Sequence, residues 1–457
     1  QGRTFLYAVL LGLFALGFMS VAVQGERFSA NRHTQIWSLI AFFLGFPALL
    51  AVPFHEVTAS GQFINPYLDL VSTVTTTGLP VFSTGALSET LVIWRVCLGW
   101  ASGFLMWVFA WSLFAPLNLG GFEHLGARGT ADDESVHGAH STARLPAEKF
   151  WREAARLGPI YVWITAATTL ALLVTSGDPV FAILRAMSTI ATFGIDIPGH
   201  SGAGWASEGV IMLVMVFALS RATFSNTFSK TRNWKFHHDP ELRVAMLLIT
   251  AAVVVLVCLG WGTSSDFWGH IKAIWGAAFT SLSFLTTTGL TSGYLAEGLR
   301  GFGQAGIVIA ALAIFGGGVA TTAGGIKLLR IYILSGHCKT EVDRLIAPSQ
   351  VMSGQSKSLS KSHHNAMLAC VFLMLFILVF AAITLGLALT GSGVDEALHL
   401  TLATVTNTGP LAQGVGLSEN AVIELGTGAK LILAVAMVFG RLEVLALLAL
   451  LNPDIYR

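Results

Sequence analysis

The chain has 457 residues, 54% of them hydrophobic and 11% charged, with a formal net charge of +1. A soluble domain carries about a quarter charged residues, so this composition excludes a soluble globular protein, and the near-zero net charge leaves no footprint for nucleic acid. The cysteines Cys97, Cys258, Cys338 and Cys370 lack metal-ligand spacing and are expected to be free thiols.

A membrane span needs about 20 apolar residues, and segments 5–23, 36–53, 91–116, 158–175, 208–228, 244–262, 303–335, 366–390 and 428–451 are read as spans. The first has no small-residue cleavage site and reads as a helix rather than a signal peptide. Shorter segments, 64–77, 180–193, 272–288 and 395–408, lie between the spans. Each ends in a variant of one motif: STVTTTGLP at 72–80, STIATFGID at 188–196, SFLTTTGLT at 283–291 and ATVTNTGPL at 403–411. The motif glycines Gly78, Gly194, Gly289 and Gly409 stand 116, 95 and 120 residues apart. Helices too short to cross are tolerated at membrane depth only where the following loop faces protein and a wet cavity.

The predicted fold class is therefore an all-α integral membrane protein. Four pseudo-symmetric repeats of outer helix, pore helix, filter loop and inner helix surround a central pore, preceded by an N-terminal extra helix. The boundaries fall at 1–30 (extra helix), 31–120 (repeat one), 121–157 (cytoplasmic loop), 158–230 (repeat two), 231–340 (repeat three) and 341–457 (repeat four).

Lys and Arg collect in 121–157, 229–243 and 327–361, including Arg144, Lys149, Arg152, Lys230, Arg243, Lys327, Arg330 and Lys361. Cytoplasmic loops carry that excess, so the filters are expected to open outward. The opposite segments hold acids, among them Glu56, Asp69, Glu89, Asp178, Glu208, Asp395 and Glu424. They are either a negative mouth that concentrates cations or the plain consequence of keeping Lys and Arg inside. With 36–53 starting in the cytoplasm, Gln1 falls outside, which leads to the expectation of a further helix upstream. A nucleotide-binding βαβ unit and an Arg-repeat voltage sensor are both missing from the pattern. Regulation is therefore expected from another polypeptide.

Dehydrating a potassium ion takes a ring of backbone oxygens at fixed spacing, with glycine permitting the dihedrals. The candidate K+ ligands are Thr76, Thr77, Gly78, Thr192, Phe193, Gly194, Thr287, Thr288, Gly289, Asn407, Thr408 and Gly409. Because backbone oxygens do the binding, Phe193 is compatible with this role. In 303–335 the run Phe315-Gly316-Gly317-Gly318-Val319-Ala320-Thr321-Thr322-Ala323-Gly324-Gly325-Ile326-Lys327 carries five glycines, each costing about 1 kcal/mol in a regular helix. It reads as a break forming an irregular, mobile loop under the filter, the alternative being close helix packing through small residues. Arg441 sits midway along 428–451 and is either a positive barrier facing the pore or the partner of Glu443 near the cytoplasmic surface. Arg95 is expected to pair near the outer surface. His237-His238 and His363-His364 read as solvated loop residues, and His55-Glu56 lacks the second His of a zinc-hydrolase motif. An intramembrane hydrolase is disfavoured because the spans offer no Ser/His or paired-Asp constellation. The chain is expected not to be an enzyme.

These residues resemble the Trk/Ktr/HKT superfamily of potassium transporters, in particular the membrane subunit of bacterial Trk systems. The resemblance covers nearly the whole chain: Ala51-Val52-Pro53-Phe54, STVTTTGLP, Trp94-Arg95, Asp239-Pro240-Glu241-Leu242-Arg243, TTAGGIK at 321–327, TNTGP at 406–410 and VFGRLEVLALLALLNPDIYR at 438–457. It implies one permeation path per subunit, K+ as the transported ion, no nucleotide on this chain, and a homodimer in the bacterial inner membrane. It also implies a cytosolic ring of TrkA-like nucleotide-binding subunits as regulators. Gly316, Gly317, Gly318, Thr321, Thr322, Gly324, Gly325 and Lys327 would form the intramembrane gating loop, and Arg441 the positive residue beneath the filter. Gly99-Trp100-Ala101-Ser102-Gly103-Phe104 and Ser220-Arg221 depart from the family pattern. In the plant relatives, Ser in the first loop goes with sodium preference, so four retained glycines favour potassium. Broken helices would equally serve an ion-coupled potassium or sodium symporter.

Overall fold

The computed structural model describes residues 32–58, 61–83, 85, 87–115, 146–195, 197, 204–219, 239–260, 267–295, 305–319, 321–346, 356–414 and 421–442. The described residues are helical or irregular, with no strand among them. Thirteen helices of eight residues or more follow one another among the described residues. They are α1 (Arg32–Thr58), α2 (Ile64–Val74), α3 (Glu89–Phe109), α4 (Pro146–Ser176), α5 (Pro179–Ile190), α6 (Trp205–Val216) and α7 (Pro240–Gly260). After these come α8 (Phe267–Leu285), α9 (Ala305–Phe315), α10 (Leu328–Ile346), α11 (Ser356–Leu389), α12 (Val394–Val405) and α13 (Thr427–Leu442).

Among the described residues five segments, in α1, α3 with its following π turn, α4, α7 and α11, are long and apolar enough to cross a membrane. Their exposed side chains are apolar: Trp163, Val174, Leu247 and Leu389 are each more than 60% exposed. The buried interior is instead rich in Ser and Thr, with Ser72, Thr73, Thr75, Thr76, Thr77, Thr286 and Thr288 fully enclosed. That is the inversion expected of a chain solvated by lipid, where close packing and internal hydrogen bonds hold helices together. The threonines satisfy themselves locally: Thr73 Oγ1 donates to Asp69 O (2.9 Å) and Thr404 Oγ1 to Leu400 O (2.7 Å).

The start of α5 has a local cause. Asp178 precedes Pro179 at the first position of α5, and its carboxylate accepts the Val180 and Phe181 N–H groups at 2.9 and 3.1 Å, a cap with Pro where no N–H is needed. In α1, Pro47 and Pro53 stand inside the helix, as membrane helices permit. A π turn, Ala110–Phe114, ends α3.

The packing order is cyclic. Helix α2 lies between α1 and α3, α3 also touches α5, and α6 touches α8. At the end of the described chain α13 packs on α12 and returns to α1 and α2. The first and last helices thus close on each other.

Several expectations need correction. Helix α4 starts at Pro146, so the end of the expected cytoplasmic loop 121–157 is helical. Arg152 and Arg156 pair there with Glu153 at 3.3 and 3.2 Å. The segment 327–361, read as a basic loop, holds most of α10 and the start of α11, so His363-His364 are helical. Arg330 is not a solvated charge: it is 1% exposed, donates to Ile326 O at 3.2 Å and lies 3.7 Å over the Phe372 ring. The break expected within 303–335 is present: α9 ends at Phe315, an irregular stretch follows and α10 begins at Leu328. Helix α8 has 19 residues and starts before the expected segment, with Phe267 and Trp268 exposed on its first turn. Asp69 and Glu208, counted among acids of an open mouth, are 0% and 3% exposed. The extra helix at 1–30, most of 121–157, His237-His238, Ser220-Arg221 and Glu443 lie outside the described residues.

Candidate functional site

The four short helices α2, α5, α8 and α12 end alike. After each, one non-glycine residue turns left-handed: Thr76 (φ 50°), Thr192 (φ 49°), Thr287 (φ 56°) and Asn407 (φ 52°). The N–H of that residue reaches back to the second-last helical carbonyl: Thr76 to Thr73 (3.0 Å), Thr192 to Thr189 (3.1 Å), Thr287 to Phe284 (3.1 Å) and Asn407 to Thr404 (3.2 Å). The next N–H reaches one residue deeper: Thr77 to Ser72 (2.8 Å), Phe193 to Ser188 (2.9 Å), Thr288 to Ser283 (2.9 Å) and Thr408 to Ala403 (2.9 Å). This pair of bonds is the Schellman ending, in which the left-handed position is ordinarily Gly. Placing Thr there costs about 1–2 kcal/mol each, and strain retained at three equivalent positions marks a constrained site.

The glycines that follow serve two purposes. Gly78 (φ 72°) and Gly289 (φ 79°) are left-handed, a conformation side chains resist. Gly194 and Gly409 have no such φ, and steric approach excludes a side chain: a Cβ on Gly194 would meet Thr288 O, and one on Gly409 would meet Leu79 N. The expectation that glycine supplies dihedrals at all four positions is corrected at these two.

The same approaches give the spatial order of the loops. Gly78 lies against Gly194, Gly194 against Thr288, and Gly289 against Pro410. The Gly409 N–H donates to Thr77 O (2.7 Å), and Asn407 Nδ2 donates to Thr77 Oγ1 (2.8 Å) and Met437 O (3.0 Å). The motifs therefore meet in sequence order and close on themselves. Each is entered from the C-terminal end of a helix, which carries about −0.5 elementary charge. Four such ends aimed at one place favour a cation. The first and third loops match in detail, with Oγ1–Oγ1 hydrogen bonds between Thr75 and Thr77 (2.8 Å) and between Thr286 and Thr288 (3.0 Å). The second differs: Phe193 is fully buried, and its ring occupies the space a Cβ on Gly99 would need, 2.8 Å from a ring carbon. Gly99, in the motif that departs from the family pattern, is thus the counterpart of Phe193.

Beneath the loops, residues 316–319 and 321–325 belong to a compact excursion between α9 and α10. Its neck is laced by Ile326 N–H to Ile314 O (2.9 Å), Lys327 N–H to Phe315 O (3.0 Å) and Leu328 N–H to Gly317 O (3.1 Å), as in an Ω-loop. Gly316 (φ 70°) and Gly325 (φ 77°) cross there, a Cβ on Gly325 falling 2.7 Å from Gly316 Cα. The loop is tied on several sides. Gly318 N–H donates to Ala218 O (3.1 Å), Val319 N–H to Glu241 Oε1 (3.4 Å) and Gly324 N–H to Thr287 Oγ1 (2.8 Å). Lys327 folds inward, its Nζ donating to Ala323 O, and Thr321 Oγ1 donates to Gly318 O (2.8 Å). A small cavity lined by Trp107, Ile190, Val214, Phe217 and Thr322 lies beside the loop.

Arg441, 5% exposed, joins loop and filter motif. Its Nε donates to Thr75 O (2.7 Å), its Nη2 to Thr76 Oγ1 and its Nη1 to Thr322 O. One guanidinium bridges the first motif and the glycine-rich loop. Glu443, the partner in the other reading offered by the sequence, lies outside the described residues.

Three ties escaped the sequence reading. Arg95 pairs not at the surface but inside, 2.9 Å from the Asp69 carboxylate in the middle of α2. Arg185 donates to Ile195 O (3.2 Å) behind the second motif. Glu208 binds the segment after the third motif. The Arg95 and Glu208 contacts join separate helices or repeats, and local pattern holds no signal for them.

A profile described as TrkH, cation transport protein, matches residues 157–453 of the chain. The Trk system potassium uptake protein TrkH of Vibrio parahaemolyticus is 28% identical over 406 residues, 86% of this chain and 79% of that protein. The protein of the same name from Escherichia coli K12 is 26% identical over 408 residues, covering 88% and 80% respectively. The crystal structure of the potassium transporter TrkH from Vibrio parahaemolyticus shares the fold, with a TM-score of 0.75 and 24% identity, over 95% of this chain and 87% of that one.

Proposed function

The chain belongs to the TrkH family of cation transport proteins, and from that premise we propose that it is a channel-like potassium uptake subunit of the inner membrane. K+ passes inward through a filter built from the backbone carbonyls of Thr76 to Gly78, Thr192 to Gly194, Thr287 to Gly289 and Asn407 to Gly409. The four repeats bounded at 31–120, 158–230, 231–340 and 341–457 surround that path, with the filter facing outward. What carries the reading is the shared left-handed ending of α2, α5, α8 and α12, whose loops meet in a closed ring. Carbonyls fixed by a strained, repeated backbone are the device that replaces an ion's hydration shell. The names of the relatives, potassium uptake proteins of Trk systems, supply the ion.

In this reading the ring is tight. The Thr77 carbonyl accepts the Gly409 N–H, and it must exchange that donor for an ion during passage. Residues 316–325 are the gate: Gly316, Gly317, Gly318, Gly324 and Gly325 shape the loop, Thr321, Thr322 and Lys327 brace it, and Arg441 latches it to the filter. A homodimer with cytosolic TrkA-like nucleotide-binding subunits would set the gate, acting from the basic face that includes Arg243.

The alternative is an ion-coupled symporter using the same broken helix. Purified protein in liposomes separates the two. The channel-like reading expects K+ flux exceeding Na+ flux, rising without saturation as the gradient grows and needing no second ion. Saturating flux that requires a co-ion would favour the symporter.

A further inference from the structure

Three residues after the third filter glycine the chain meets a carboxylate from another repeat. Glu208 stands in the first turn of α6 and is 3% exposed. Its Oε2 accepts Trp275 Nε1 (2.8 Å) from α8 and Ser292 Oγ (2.8 Å), while Oε1 accepts Ser292 Oγ (3.0 Å) and the Gly293 N–H (3.1 Å). The Ser292 hydroxyl, its proton given to the carboxylate, accepts the Tyr294 N–H (3.0 Å). The ring of Trp205 stacks on Trp275 at 5.6 Å and meets Tyr294 edge-on at 5.3 Å. Beneath this clasp the filter's exit segment lies directly on α8, for a Cβ on Gly276 would come within 2.6 Å of Leu295 N.

We propose that Glu208 is a positioning residue for ion selectivity, a clasp from the second repeat that fixes the exit of the third filter loop and with it the spacing of the Thr287 and Thr288 carbonyls. The inference rests on the transport reading above and adds to it a determinant outside the four motifs. The chemistry requires a carboxylate. Three donors converge (an indole N–H, a hydroxyl and a backbone N–H), and only an ionised Glu offers acceptors alone; Gln keeps one acceptor oxygen and turns an NH2 toward a donor. A loop tied at its entry by the α8 ending and at its exit by Glu208 cannot relax around a smaller ion. Untied at the exit, it can. Discrimination between K+ and Na+ then falls while the path stays open.

The test compares K+ and Na+ flux in liposomes for wild type, Glu208→Gln, Trp275→Phe and the double variant, with melting temperature recorded for each. Glu208→Gln is expected to lower the K+/Na+ flux ratio about tenfold, the scale of one lost charge-assisted hydrogen bond, by raising Na+ flux rather than abolishing K+ flux. Trp275→Phe, which keeps the stacking ring and loses one donor, is expected to give a smaller drop. The double variant should fall short of the product of the two, since both act on one carboxylate. Glu208→Gln is near-isosteric, so it decides the matter even if Glu208→Ala fails to fold. Wild-type preference surviving in folded Glu208→Gln and Trp275→Phe overturns the clasp alone. Wild-type liposomes without potassium preference overturn the transport reading, and the clasp falls with it.

Discussion

Arg441 is assigned two jobs in this account, and a Lys/Ala pair of substitutions separates them. As a buried cation it would oppose passage of K+ in the proposed reading; as a fork it ties Thr322 of the glycine-rich loop to Thr75 and Thr76 of the first motif. Hydrogen bonds from a charged donor contribute about 1.5–3 kcal/mol each, so losing the Thr322 tie shifts the closed-to-open ratio about 10- to 100-fold, at about 1.4 kcal/mol per factor of ten. Lys keeps the charge, but one ammonium on a flexible stem cannot reproduce a planar fork spanning three acceptors. Arg441→Lys is therefore expected to raise basal K+ flux about tenfold, and Arg441→Ala further, because the charge goes too. The assay is K+-driven flux in liposomes with equal protein incorporation, and the K+/Na+ ratio should hold in Arg441→Lys. Flux at the wild-type level in Arg441→Lys, with a rise only in Arg441→Ala, would refute the latch and leave the barrier alone.

Glu241→Ala removes the acceptor that Val319 of the loop meets at 3.4 Å; it is expected to raise basal flux several-fold with the ion ratio unchanged, and to be sub-additive with Arg441→Lys in a flux cycle. Gly99→Ala puts a Cβ 2.8 Å from the Phe193 ring and is expected to cost about 1–3 kcal/mol of stability by overpacking, read as a lower melting temperature and partly restored by Phe193→Thr. Breaking the enclosed Asp69–Arg95 pair with Asp69→Leu strands a buried cation at about 3–5 kcal/mol; thermal unfolding in detergent should show Asp69→Leu/Arg95→Leu as the more stable of the two variants.

The sequence exposes those parts of the molecule that a local backbone requirement dictates. A Schellman ending needs a left-handed residue at a fixed offset from the helix, and a close ring needs small residues behind it, so Thr76, Thr192, Thr287 and Asn407 recur in register before their glycines. The glycine-rich break after Phe315 is legible for the same reason. Charges are different, because their partners are tertiary. Nothing near Arg95 announces Asp69, and nothing near Arg330 announces the Phe372 ring beneath it. Composition also misleads at membrane edges: 146–157 and 328–346 look like loops because they are charged, yet both are helical extensions, the first braced by Glu153 with Arg152 and Arg156. The reason for Gly194 and Gly409 was equally hidden, since it is the approach of Thr288 and Leu79 from other repeats.

The central claim is that backbone carbonyls in a four-loop ring select the ion, and Gly78 is where to test it. A side chain there meets both a left-handed φ of 72° and the Gly194 carbonyl, 3.0 Å from an added Cβ. The measurement is the K+/Na+ flux ratio of purified wild type and Gly78→Ser in liposomes. A ratio well above one is expected for wild type, with a collapse toward one in Gly78→Ser and flux still measurable. An unchanged ratio in a folded Gly78→Ser protein would contradict the central claim.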